Sequence, residues 1–289
     1  MKKSSLIYII LAGMLWGTSG LYVHFLTPYG LTSIQMTTVR GVVSAFFIVL
    51  YALLFNRKLF KINLKDGIFC FFRGLAMYLA AAFYYLAMQK TSVSTAVVLM
   101  YIAPIFVMAF SVAFLGEKLT VIKGISVIAV VVGCGFVSGI IGGLKFSVSG
   151  ILLGILAGLL YGSYSIITKI QMKKNINPMT ASMYGFVFMA VISCFVAQPV
   201  AIANIGVANP VSILLMLGCG LCTCVLPYTL YTISLKDLPA GTASSLAIIE
   251  PLAATIYSIA FLGERPDMFS YLGIAMILGA VLSLSKSKE

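Results

Sequence analysis

The sequence is short of charge, shorter still of acids, and almost without histidine. Of its 289 residues, 9% are Asp, Glu, Lys or Arg and only 7 are acids. A soluble protein of this length carries about 25% charge. With 61% hydrophobic residues, the chain has more apolar surface than an aqueous core needs, so the bilayer is its solvent. His24 is the only histidine. Neither His-Glu-x-x-His nor Gly-x-Ser-x-Gly occurs, which leaves little for acid–base or nucleophilic enzyme chemistry. No Walker sequence is present, so ATP is excluded as the direct energy source. The net charge is +12, but the bases sit in short loops without interleaved aromatics, and nucleic acid is not an expected partner. Cys70, Cys134, Cys194, Cys219, Cys222 and Cys224 all fall in apolar runs. Cys219-Gly-Leu-Cys222 has redox or metal-ligand spacing. No histidine lies near it, however, and small residues are ordinary at membrane helix contacts. No metal or cofactor is expected.

What the chain does have is length of apolar run. Ten stretches are close to the roughly 17–25 residues that span a hydrocarbon core: 6–26, 33–55, 67–88, 93–115, 121–140, 148–170, 180–203, 211–234, 242–262 and 268–285. Met1-Lys2-Lys3 imitates the start of a signal peptide, but the run behind it is too long and no clean cleavage site follows. With the N-terminus inside, fourteen Lys and Arg fall in inner segments and three, Lys90, Lys145 and Arg265, in outer ones. That bias places both termini in the cytoplasm. The expected location is the inner membrane of a prokaryotic cell.

Thr95–Lys118, TAVVLMYIAPIFVMAFSVAFLGEK, returns at Thr242–Arg265 as TASSLAIIEPLAATIYSIAFLGER, with eleven of 24 positions identical. Each copy carries a proline near its middle, Pro104 or Pro251. Proline lacks an N–H and frees the carbonyl four residues earlier, at Met100 and Ala247. In a membrane such a break is tolerated only beside protein or a wet cavity. A matched pair in two halves points to a transporter's site, and Pro104 and Pro251 are its candidate hinges. The repeat extends to span 1, where Gly13, Trp16, Gly17, Gly20 and His24 mirror Gly158, Tyr161, Gly162, Ser165 and Lys169 of span 6. Tyr84-Tyr85 mirrors Tyr231-Thr232. The halves are therefore 1–144 and 145–289, with five spans each. An odd number of spans makes the second half enter from the opposite side. The expected fold is all-α: ten transmembrane helices in two inverted five-helix repeats.

Helical spacing puts the span 1 glycines on one face, and the span 6 face adds Gly150 and Gly154. Such faces pack helices closely. Trp16 and Tyr161, on those faces, suit either packing or a cavity wall. Span 2 aligns Ser33, Thr37, Arg40 and Ser44 toward the bundle. A central arginine costs about 2.5–3.5 kcal/mol to insert, so Arg40 needs backbone carbonyls, an outward reach, or an anionic ligand. Arg73, nearer the inner surface, is expected to snorkel. Met77, Ala81, Tyr84 and Met88 share its face, mirrored by Cys224, Tyr228 and Tyr231. Glu250 is the only carboxylate deep in a span; it is a proton carrier, a counter-ion, or a cap for the freed backbone. Glu117 and Glu264 each follow a helix-ending glycine and are expected to complement a helix N-terminus. Trp16, Tyr84, Tyr101, Tyr161, Tyr228 and Glu250 are the expected lining of a cavity between spans 1, 3, 4, 6, 8 and 9, with Arg40 as the embedded cation.

These residues resemble the EamA family of the drug/metabolite transporter superfamily. That family has ten spans in two inverted repeats, each closing with a proline helix and Leu-Gly-Glu-Arg/Lys. The matching residues here are Pro104 with Leu115-Gly116-Glu117-Lys118 and Pro251 with Leu262-Gly263-Glu264-Arg265. Trp16-Gly17 matches the family's early Trp-Gly, and Glu250-Pro251 a Glu-Pro of the second repeat. The resemblance covers nearly the whole chain. Members move amino acids, other metabolites and some toxic compounds. Related small multidrug exporters keep a glutamate in helix 1, which Leu6–Leu26 lacks, and that argues against cation-drug antiport. The resemblance implies a secondary or facilitative exporter of a small polar or amphipathic metabolite such as an amino acid, with a drug-like or toxic compound as the alternative cargo. Its partners are then the substrate, the lipid bilayer and, through Glu250, protons, and a monomer suffices for transport.

Overall fold

The computed structural model describes residues 3–91, 96, 99–118, 120–137, 147–263 and 267–286, less the side chains of 88, 270, 281 and 284–286. Among the described residues there is helix and no strand. In chain order these helices are α1 (Lys3–Tyr29), α2 (Ser33–Phe55), α3 (Leu64–Lys90), α4 (Ala103–Leu115), α5 (Val121–Val137), α6 (Val148–Lys173), α7 (Pro178–Cys194), α8 (Pro210–Ser234), α9 (Ala240–Leu262) and α10 (Met268–Lys286). Six of them, α1, α2, α3, α6, α8 and α9, are long and apolar enough to cross a membrane. The described parts of α4, α5 and α10 hold shorter apolar stretches. Several starts are written locally. Thr32 and Gln35 cap each other at the head of α2, Asn63 caps α3, and Asn177 with Pro178 opens α7. Each satisfies amide groups that would otherwise lack a helical partner.

Span 7 departs from the expected 180–203. The helix stops at Cys194, and a second helix, Pro199–Ala208, leaves at 94°. Pro199 has no N–H to continue the ladder and pushes the preceding residue out of the helical region; Gln198 sits at φ 51°. α1 is also interrupted, at Thr18, whose N–H and hydroxyl both turn back to the Leu15 carbonyl.

The duplicated stretch repeats in structure as well. α4 and α9 both end in a π turn, Ser111–Leu115 and Ser258–Leu262. Both turns stop at a left-handed glycine, Gly116 and Gly263, each with φ 69°, a conformation glycine adopts without a side-chain penalty. Helix pairing follows the same exchange: α3 packs on α6 as α8 packs on α1, and α4 packs on α6 as α9 packs on α1. α2 lies on α7, and α5 on α10. The periphery is apolar, with Leu54, Phe114, Ile125 and Leu214 exposed. The polar residues Arg73, Gln171, Ser182 and Thr232 are among the wholly buried ones. This is the inside-out distribution expected where lipid replaces water.

Candidate functional site

Both proline breaks form. Tyr101 and Ile102 make a turn ahead of Pro104, and Ala247–Ile249 tightens into a 3₁₀ turn ahead of Pro251. The tighter turn lets the Glu250 N–H reach the Ala247 carbonyl, which the proline has left without its usual donor. The mirrored glycines lie against these breaks. A Cβ on Gly13 would stand 2.8 Å from the Ala247 oxygen and 2.4 Å from Ile249 Cγ2. On Gly158 it would stand 3.3 Å from the Met100 oxygen. The first helix of each half thus packs on the broken helix of the other. Gly20 differs from the rest of its face, with nothing within 4 Å of a Cβ.

Around the breaks, the candidate residues come together from seven helical segments. Glu250 interacts with Arg40 and Tyr101, and Tyr84 with both Arg40 and Glu250. Tyr161 lies near Tyr228 and Glu250, and Tyr228 near Arg40 and Glu250. Arg40, Tyr84, Tyr101, Tyr161, Tyr228 and Glu250 are all largely but not fully buried. Trp16 instead is buried beneath them, its ring 5.0 Å from Tyr228, 5.6 Å from Tyr231 and 6.5 Å from Tyr161. Its indole nitrogen has no hydrogen-bond partner among the described residues. Pro104 and Pro251 are buried. Arg40 and Glu250 do not form a direct ion pair. Arg40 Nη2 donates to the Thr223 carbonyl at 2.9 Å, and Arg40 Nε has no partner among the described residues. Thr223 lies in a π turn, Leu221–Val225, and Pro227, four residues on, has no N–H to offer its carbonyl. Sequence reasoning misses this link; the signal is the second proline of an apolar run, four residues past Thr223.

Arg73 does not snorkel. Its side chain is the largest of the fully buried ones and donates to Thr232 Oγ1 at 2.7 Å. Four helices meet there, and their hydroxyl and amide groups replace the interface that a snorkelling side chain would seek. Lys169, in sequence only the mirror of His24, is buried, and its Nζ donates to the carbonyls of Leu235 at 2.8 Å and Leu238 at 2.5 Å. Glu117 accepts the Ala240 N–H at 3.0 Å. It therefore complements the N-terminus of α9 rather than of the helix that follows it. Ser5 donates to Asp237 at 2.7 Å. The connection 235–240 is thus held from α1, α6 and the turn after α4. Glu264 lies outside the described residues.

Mirrored positions are unequally exposed. Gly20 and His24 are exposed, whereas Ser165 and Lys169 are 0% and 8% exposed. Tyr84 is partly exposed and its mate Tyr231 is fully buried. Trp16 is buried while Tyr161 is partly exposed. Helical side chains lean toward their own N-terminus, so Trp16 leans to the Lys169 end and Tyr161 away from it. All four pairs agree: at these positions the end carrying Lys169 and Glu117 is the more closely packed of the two.

Comparison with known proteins agrees with this duplicated architecture. The model of the EamA-like transporter family matches the chain twice, over residues 3–139 and 148–286. The uncharacterized transporter YwfM of Bacillus subtilis (strain 168) is 25% identical over 280 residues, 96% of this chain and 93% of that protein. An uncharacterized transporter of Archaeoglobus fulgidus is 30% identical over 213 residues, 72% of this chain and 74% of its own length. A solved crystal structure, 15% identical, shares the fold with a TM-score of 0.81 over 99% of this chain and 97% of that one. Paired proline helices, glycine faces that cross between halves, and a family model that fits each half lead to one assignment: the chain belongs to the EamA-like transporter family.

Proposed function

We propose that the protein is a ten-span secondary or facilitative transporter that exports a small polar or amphipathic metabolite, such as an amino acid, by alternating access, with both termini in the cytoplasm. One observation carries the reading. A carboxylate, Glu250, and a guanidinium, Arg40, neither of them fully buried, interact from different helices without forming an ion pair. A zwitterion complements both, its carboxylate toward Arg40 and its ammonium toward Glu250. Tyr84, Tyr101, Tyr161 and Tyr228 supply hydroxyls and ring faces around it. Few polar groups in an otherwise apolar wall suit a small-molecule site.

The unequal exposure of mirrored positions supports alternating access. Exchange of the two arrangements would pack the looser end and free the Lys169 end. Pro104 and Pro251 are the bending points, each weakening one helix beside the site. Glu250 is the group able to couple a proton. Both repeats lie in one chain, so a monomer suffices.

Purified protein in liposomes preloaded with unlabelled amino acids tests this. Saturable counterflow of a radiolabelled amino-acid mixture is expected. Absence of counterflow, together with extrusion of lipophilic dyes, would move the function to efflux of drug-like compounds, the cargo for which the partly exposed tyrosine rings alone would suffice.

A further inference from the structure

We propose that Arg73 is a second carboxylate-binding station, occupied when the Lys169 end opens; the proposal rests on the transporter reading above. The guanidinium is 0% exposed, and no carboxylate contacts it among the described residues. Its acceptors are neutral and sit on three helices: Thr232 Oγ1 at 2.7 Å, Ser182 Oγ at 3.4 Å and Gln171 Oε1 at 3.5 Å. The last two are at the long limit of hydrogen bonding. Arg73 Nε has no partner among the described residues, and the buried Tyr164 hydroxyl lies beside the guanidinium, Thr168 and Thr232, its ring centre 5.3 Å from the guanidinium carbon. Arg40 shows the contrast, because its guanidinium repairs a broken backbone. Arg73 repairs none. It is a buried cation with no carboxylate beside it among the described residues, and an unpaired buried charge is costly to keep.

A carboxylate completes this arrangement. The planar guanidinium fork pairs with it bidentately, and the Ser182 and Tyr164 hydroxyls stand beside it to donate. Gly185 lets α7 lie close against the arginine: a Cβ there would stand 3.3 Å from Arg73 Cδ and Nε. Both arginines lie along α8, Arg40 at Thr223 and Arg73 at Thr232. That separation is roughly 13 Å at the helical rise, with Tyr228 between. Arg40 therefore receives the carboxylate from the looser end and Arg73 from the packed one. Gln171, an acceptor of Arg73, lies two residues from Lys169, whose bonds to Leu235 and Leu238 help seal that end.

The test uses full-length protein in nanodiscs, the arginine reagent phenylglyoxal, and peptide mass spectrometry, with sodium acetate as probe and sodium chloride at equal ionic strength as control. In wild type, Arg73 should react far more slowly than Arg57. In Lys169→Met and in Glu117→Leu, which loosen the seal by different bonds, its rate should rise about tenfold, as for a decade's shift in open population. Acetate, but not chloride, should suppress that reaction. If either variant fails to fold the other carries the test. If both fail, the slow wild-type reaction is followed for the same acetate protection. No gain of reactivity in a folded variant, no acetate protection, or equal protection by chloride overturns the proposal. Amino-acid counterflow measured in parallel separates the two claims. Flux with unprotected Arg73 sinks the second station alone, and protection without flux sinks the amino-acid reading alone.

Discussion

Arg40 donates to the carbonyl of Thr223, to which Pro227, four residues on, offers no N–H. One guanidinium thus repairs α8 and still presents its charge beside Glu250. The two roles can be separated. Arg40→Gln should destabilise the protein by about 1–3 kcal/mol, the range for a hydrogen bond from a charged donor and a stranded acceptor. Pro227→Ala in the same chain restores an N–H and should recover part of that loss without recovering flux. Denaturant unfolding in detergent, paired with counterflow, reads both. Recovery of flux with stability would mean that Arg40 serves only the backbone.

The glycine faces make a graded prediction. Gly13→Ala and Gly17→Ala should each cost about 1–3 kcal/mol, as overpacking does, because a Cβ would sit within 3 Å of α9 atoms. Gly20→Ala meets nothing and removes a helix-weakening glycine, so it should be neutral or stabilising by up to about 1 kcal/mol. Thermal unfolding of the three variants checks the order; equal losses would contradict the packing described.

Much of this is legible in the chain because it is local. Pro104 and Pro251 announce their own breaks, and Gly116 and Gly263 their own helix ends. The duplication ties distant stretches together, so the packing of α1 on α9 and of α6 on α4 follows from mirrored glycines. What escapes depends on partners far along the chain. Arg73 is held by groups 98 to 159 residues away, and nothing near Arg73 hints at them. Lys169 has the look of an ordinary loop-side base, yet its acceptors are carbonyls 66 and 69 residues on. Pro199 stands in plain view, but it lies in an apolar run whose composition does not change across the turn.

Loosening the packed end should be detectable at a native thiol. Cys70 is 0% exposed and accepts a hydrogen bond from Gln171 at 3.2 Å. In Lys169→Met, N-ethylmaleimide labelling of Cys70, resolved by peptide mass spectrometry, should rise severalfold over wild type. Unchanged labelling would mean that Lys169 does not seal that end.

The orientation drawn from lysine and arginine makes a prediction in cells. Alkaline phosphatase fused after Lys61 or Lys173 should be inactive, and fused at Lys145 it should be active. Activity at either of the first two would reverse the topology and with it the assignment of the packed end to the cytoplasm.

The most direct test of the central claim is counterflow of matched analogues. Leucine, isocaproate and isoamylamine share a side chain and differ in carrying both charges, the carboxylate alone or the ammonium alone. Wild type should carry leucine best. Arg40→Gln should lose the carboxylate-bearing substrates while sparing the amine, and Glu250→Gln should lose the ammonium-bearing ones while sparing the acid. If both folded variants carry all three as wild type does, Arg40 and Glu250 are structural and the site does not recognise a zwitterion.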